Sequence, residues 1–170
     1  MHALIVSADQ FEDCELLYPF YRLREDGVAV TVAAPAAGRI TGKHGYTVTV
    51  DAPLAALDTE RFDLLVLPGG KAPAALVHEP AALAIARAFV RGNRPVAAIC
   101  HGPQVLAAAG VLAGRHVTAY HTVADDLRRA GAFYEDRAVV VDGALVTSRQ
   151  PADLPDFMRA LRRALEAKSR

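Results

Sequence analysis

Short, almost uninterrupted apolar runs alternate with stretches of helical periodicity along the whole chain. That alternation leaves few architectures open. Ala3–Val6 (ALIV), Val28–Ala33 (VAVTVA), Leu64–Leu67 (LLVL) and Val96–Ile99 (VAAI) are too short for core helices and have almost no polar face. Such runs suit strands covered on both sides, as in a parallel sheet. Between the first two, Glu15–Glu25 (ELLYPFYRLRE) spaces its apolar residues near the helical period and ends at Gly27. Pro19 should kink that helix or sit near its first turn. Further helices are expected over Ala81–Arg91 after Pro80, Pro103–Ala109 closed by Gly110, Asp125–Ala130 and Leu154–Ala167. Proline suits a first helical turn, where its missing N–H costs nothing. Gly38–Val50 (GRITGKHGYTVTV) alternates and holds three glycines, as an antiparallel excursion would. His116–Tyr120 reads as a short strand, and Val139–Asp142 and Ala144–Thr147 pair around the turn Asp142-Gly143.

Strands alternating with helices, joined by right-handed crossovers, predict an α/β fold. The expected form is a flavodoxin-like, doubly wound, mostly parallel sheet sandwiched by helices, with a small antiparallel excursion. The 170 residues, without repeats or linkers, suit a single domain over residues 1–170 that needs no disulfide or metal staple. Lysine plus arginine and aspartate plus glutamate each number 19, so the formal charge is zero. That argues against nucleic acid or an anionic membrane as the main partner and favours self-association. The two cysteines, Cys14 and Cys100, and a start (MHALIVSADQF) without a basic leader lead us to expect a reducing, cytoplasmic setting.

In sheets of this kind ligands bind beyond the carboxyl ends of the strands. Ser7–Glu15, Pro68–Pro73 and Cys100–Gln104 should meet there. In Ala97-Ala98-Ile99-Cys100-His101-Gly102-Pro103 a buried strand runs into a cysteine and a helix begins almost at once. This is the layout of a nucleophile elbow. The helix start should favour thiolate over thiol. The alternative is a buried structural cysteine, but Cys100 follows the strand rather than lying within it. His101 is a candidate base or proton relay, the alternative being a surface histidine that supplies only its N–H. Gly69 and Gly70 should turn N–H groups inward, and Gly70 N–H with His101 N–H could form an oxyanion hole. In Phe11-Glu12-Asp13-Cys14-Glu15 the acids suit a helix start. One of them could also press on the sulfur, where a dry pocket would keep it protonated and donating. Glu15, one turn into the helix on the face of Pro19, is the first candidate and Glu12 the second; Cys14 reads as a bystander. His44 and His121 belong to a pocket or to the surface. His2, His78 and His116 lack partners at metal-ligand spacing, so no metal site is expected.

These segments, in this order, resemble the PfpI-like branch of the DJ-one/PfpI superfamily, which has the class I glutamine amidotransferase-like fold. The resemblance runs through SADQFEDCELLYPFYRLREDG, GRITGKHGYTVTVD, FDLLVLPGGKAP, RPVAAICHGPQVLAAAGVLAGRHVTAY and VVVDGALVTSRQPADLP, and AICHGPQVL is its most specific part. It implies Cys100 as nucleophile with His101 beside it, Glu15 as the acid that contacts the cysteine, and Glu12 and Tyr120 as pocket residues. It also implies a dimer that could assemble further into a hexameric ring. Gly38–Val50, as an excursion with exposed strand edges, could supply the contact.

One departure stands out. Archaeal peptidase relatives carry a glutamate soon after the Gly-Gly turn that completes a Cys–His–Glu triad across subunits. Ala74 occupies that place here, and Glu79 and His78 are displaced by a turn. The resemblance therefore points first to cofactor-free chemistry on reactive dicarbonyls or their adducts, of the glyoxalase III or deglycase type. An intracellular cysteine peptidase and a non-enzymatic redox sensor or chaperone are the alternatives. The substrate would be a small carbonyl compound or a peptide. Glutamine amidotransfer is disfavoured because the C-terminal segment PADLPDFMRALRRALEAKSR has no histidine.

Overall fold

A computed structural model describes residues 1–168, and the side chains up to Glu166. In chain order the elements are β1 (His2–Val6), α1 (Asp13–Glu25), β2 (Ala29–Ala34), β3 (Gly38–Thr41), β4 (Thr47–Val50), β5 (Ala52–Pro53), β6 (Leu64–Leu67) and α2 (Ala72–Leu76). There follow α3 (Pro80–Arg91), β7 (Val96–Ile99), α4 (Pro103–Ala108), β8 (His116–Val117), α5 (Ala124–Arg129), β9 (Phe133–Tyr134), β10 (Val139–Asp142), β11 (Leu145–Ser148) and α6 (Leu154–Lys168). Seven strands form one sheet in the order β10-β11-β7-β6-β1-β2-β5. Every neighbouring pair in it is parallel except the β10–β11 hairpin. The mostly parallel, doubly wound sheet is the one the apolar runs predict. β6 and β7 are buried at every position, because helices cover both faces. Leu4, Ile5, Leu64, Leu65, Leu67 and Ile99 are among the largest fully enclosed side chains.

The strand order places the site. From β1 the chain winds outward through β2 to β5, then returns to β6 on the other side of β1. The winding direction reverses between β1 and β6, and a crevice opens beyond their carboxyl ends at such a reversal. Ser7 follows β1, Pro68 follows β6 and Cys100 follows the adjacent β7.

The antiparallel excursion is the β3–β4 pair, with Gly38 opposite Val50 and Thr41 opposite Thr47. Its turn is fastened to the start of α1. Gln10 N–H donates to Thr41 O at 2.7 Å and Lys43 N–H to Phe11 O at 2.9 Å. The Asp13 carboxylate accepts the N–H groups of His44 and Tyr46, each at 3.0 Å.

Several elements differ from expectation. Helix α1 starts at Asp13 rather than Glu15, and Pro19 lies inside it, so the bond from position 19 to the carbonyl of Glu15 is missing. The strand expected over His116–Tyr120 stops at Val117 and pairs in parallel with β9. Helix α2 and strands β5 and β9 are too short to leave a periodic signal. Among the described residues no helix is long and apolar enough to cross a membrane.

Candidate active site

Cys100 sits on a strained turn. Its φ of 63° lies in the left-handed region, which costs a residue with a Cβ about 1–3 kcal/mol unless its surroundings hold it there. They do so from both sides: Cys100 N–H donates to Ser148 O and Tyr120 N–H to Cys100 O, each at 3.0 Å. Gly102 N–H closes the turn onto Ile99 O at 2.8 Å. The residue is only 7% exposed, so the sulfur does not stand open at the sheet edge. It is reached through a cavity of about 770 Å³ whose wall includes Glu12, Lys43, Ala74, His101, Tyr120 and Thr122.

Of the residues singled out in the sequence, His101, Gly70 and Glu15 gather around that sulfur, and Glu12 and Tyr120 line the cavity. Cys100 Sγ lies 3.1 Å from His101 Nδ1, a contact between sequence neighbours that the sharpness of the turn allows. The N–H groups of Gly70 and His101, expected as an oxyanion hole, both donate toward the sulfur. Glu15 is wholly buried. Its Oε2 accepts Gly69 N–H at 2.9 Å, while Oε1 has no hydrogen-bond partner. Gly69 is the residue that lets these groups meet. A Cβ there would come within 2.5 Å of Glu15 Oε2 and 2.6 Å of Cys100 Cβ.

The electrostatics follow from enclosure. Burial pushes the Glu15 carboxyl up to about 7, against the opposing pull of the Gly69 N–H and then of the Cys100 thiol. Burial likewise pushes the Cys100 thiol up to about 12, followed by the negative charge on Glu15, with the Gly70 and His101 N–H groups pulling the other way. The helix start was expected to make the sulfur anionic; α4 is only six residues long, and desolvation outweighs it. The two groups are coupled, so they titrate as a pair. The carboxyl loses its proton near neutrality, and the thiol keeps its own to higher pH. A proton on Glu15 Oε1 would satisfy the one carboxyl oxygen that has no partner and remove the charge that holds the thiol up.

His101 is kept neutral to lower pH than usual, first by burial and then by Lys43 and His121. Tyr120 stacks on its ring with centroids 5.2 Å apart and planes at 30°. Glu12 reaches the cavity, but its carboxylate is engaged: Lys43 Nζ donates to Oε2 at 2.9 Å, and His44 Nε2 lies 3.1 Å from Oε1. Cys14 is half-buried and is not part of the cavity wall.

Glu12, Asp13 and His44 form a cluster whose potential ligand atoms lie within 4.8 Å of one another. Sequence spacing gave no hint of it, because the turn of the excursion brings His44 to the acids. Both Asp13 oxygens accept backbone N–H groups and both Glu12 oxygens face cations or a ring nitrogen, so a metal would have to displace these partners. Lys43, Thr122 and the Gln104–Asp126 pair (3.0 Å) also belong to the site and were missed. The motif GKHGY drew attention to its histidine, and nothing in the sequence marks Thr122.

The same chain order is found in known proteins. The DJ-1/PfpI family model matches residues 1–164. A Thermococcus kodakarensis protein named as a deglycase is 52% identical over 159 residues, which cover 94% of this chain and 96% of that protein. A Bacillus subtilis protein named as a putative cysteine protease is 42% identical over 156 residues, 91% of this chain and 92% of that one. Among solved structures, a two-domain Anabaena variabilis protein with DJ-1/ThiJ/PfpI-like and ferritin-like domains superposes with a TM-score of 0.95 at 33% identity, over 98% of this chain and 50% of its own. A match that runs almost end to end, shared with relatives of nearly equal length, means that the chain belongs to the DJ-1/PfpI family.

Proposed function

We propose that the protein is a cysteine-dependent enzyme acting on small reactive dicarbonyls, or on their adducts, by chemistry that requires no metal or organic cofactor. The observation that carries this reading is the buried Glu15 carboxyl beside Cys100, with one oxygen unpartnered and His101 Nδ1 on the sulfur at 3.1 Å. Cys100 would attack the aldehyde carbon, forming the C–S bond of a hemithioacetal, and the thiol proton would pass to the carbonyl oxygen. Neutral His101 would remove the proton from that carbon, leaving an enediolate; the hydroxyl proton would pass from the first oxygen to the second, and the imidazolium would return its proton to the neighbouring carbon, which yields a thioester of a 2-hydroxy acid. Water would then cleave the thioester, releasing the acid and restoring the thiol. The sum is addition of one water to the dicarbonyl, with no net redox change. The Thermococcus relative's name as a deglycase supports the same substrate class.

The Bacillus relative's name supports a second reading, a cysteine peptidase. Against it stands Ala74 in the cavity wall, which cannot orient an imidazole. Peptide cleavage must also expel a poor amine leaving group, a harder task than addition to an aldehyde. On the favoured reading the protein works in the cytoplasm as a self-associated assembly, in keeping with its zero formal charge.

The test is to incubate the purified protein with methylglyoxal, free of metal and glutathione, alongside Cys100→Ala. Lactate from the wild type alone is the expected result. Lactate no higher than in the variant would remove the proposal. Peptide hydrolysis that appears only on Ala74→Glu would place the missing carboxylate as the barrier to peptidase activity.

A further inference from the structure

The imidazole of His101 has two ends, and the chemistry above uses only one of them. Nδ1 faces the sulfur at 3.1 Å. If Nδ1 is to accept a proton from Cys100, the other nitrogen, Nε2, must carry hydrogen and needs an acceptor. Among the described residues the protein group within hydrogen-bond distance of Nε2 is the Thr122 hydroxyl, whose Oγ1 lies 3.4 Å away. We propose that Thr122 is a positioning residue for His101, fixing its tautomer and ring orientation through Nε2.

Three contacts then define the ring. Cys100 holds one end, Thr122 the other, and Tyr120 covers a face. The 3.4 Å separation is long, as such bonds often are before substrate binds. A threonine hydroxyl accepts from Nε2–H whether the ring is neutral or carries a second proton on Nδ1, so the ring need not turn as the proton moves. Unlike a carboxylate, the hydroxyl brings no negative charge. The charged and titratable groups around the ring are Lys43 from the β3–β4 turn, His121 beside Tyr120, Cys100 and Glu15, and, on the cavity wall, Glu12, Lys71 and Asp126. Glu12 is engaged by Lys43, and Asp126 by Gln104 and Arg129. A neutral orienting group in this setting gives a histidine in one tautomer that stays uncharged near neutrality. This suits moving a proton between carbons better than protonating an amine. The assignment rests on the reading of Cys100 and His101 as reacting groups, and its test does not depend on turnover of any dicarbonyl.

The experiment measures alkylation of Cys100 by iodoacetamide across pH, in a Cys14→Ala background so that one thiol reports, together with the ¹⁵N shifts of the His101 ring. Thr122→Val removes the acceptor at nearly constant shape. It is expected to slow alkylation near neutrality by about three- to tenfold, the kinetic equivalent of one hydrogen bond, and to mix the two ring tautomers. Thr122→Ser should restore both readouts. Thr122→Asp should move the His101 inflection to higher pH, since an added negative charge favours the imidazolium. Thr122 is exposed, so none of these changes disturbs the core, and a thermal melt verifies that. An unchanged alkylation profile and a single unchanged tautomer in Thr122→Val would overturn the assignment. If the variants behave as expected while no protein, wild type included, converts methylglyoxal, the dicarbonyl reading fails and the positioning role stands.

Discussion

Glu15 shows how one enclosed carboxyl organises its neighbours. It has no access to water, one oxygen is held by Gly69 N–H, and the other is left for whatever proton the pair with Cys100 retains. Gly69 has to be glycine for that arrangement to exist. Gly69→Ala would drive a methyl group into Glu15 and Cys100. We expect it to lower stability by about 1–3 kcal/mol, read by denaturant titration, and to change the rate of alkylation of Cys100. A variant of unchanged stability and reactivity would mean that the turn relaxes freely. At this scale much of the site was legible. Cys100-His101 and Gly69-Gly70 are each adjacent pairs just past the ends of buried strands, and Glu15 is named by its helical face. Lys43 and Thr122 were not legible, because they come from a hairpin turn and a loop whose placement depends on contacts distant in sequence.

Between residues and fold, the β3–β4 excursion deserves its own test. Asp13 bonds the N–H groups of His44 and Tyr46, which sets the turn over the cavity and brings Lys43 to Glu12. Removing both acceptors with Asp13→Ala should cost about 1–3 kcal/mol locally. Hydrogen exchange should quicken at the amides of residues 43–46 and stay slow in β6 and β7. Uniform exchange across both regions would contradict the view that Asp13 acts on this element. The excursion itself was readable from its alternation and glycines; its attachment to the start of α1 was not. The long runs ALIV, LLVL and VAAI announced their strands because burial on both faces removes every polar position. The short elements α2, β5 and β9 carry no such pattern, and their existence depends on what they pack against.

Over the whole molecule, the alternation of strands and helices allowed a doubly wound sheet to be anticipated and the three site segments to be placed together, whereas the strand order and its reversal between β1 and β6 come from the structure. The buried acid at that reversal couples stability to pH. Glu15 ordinarily titrates near 4.5, the value expected when unfolded, and near 7 when folded. The folded state therefore holds the proton more tightly, and its contribution is complete below about 4.5 and is lost as pH rises through about 7. The loss is on the order of 3 kcal/mol. Unfolding free energy should fall over that window in the wild type and much less in Glu15→Gln, which chemical denaturation at fixed pH values would show; equal slopes would mean that Glu15 is not the group responsible. The account as a whole depends on the buried Glu15 carboxyl governing the ionisation of Cys100, and the most direct measurement is the pH dependence of Cys100 alkylation in the wild type and in Glu15→Gln. An inflection near pH 7 in the wild type that vanishes in the variant is the expected result. The same profile in both proteins, with one ordinary thiol inflection, would contradict it.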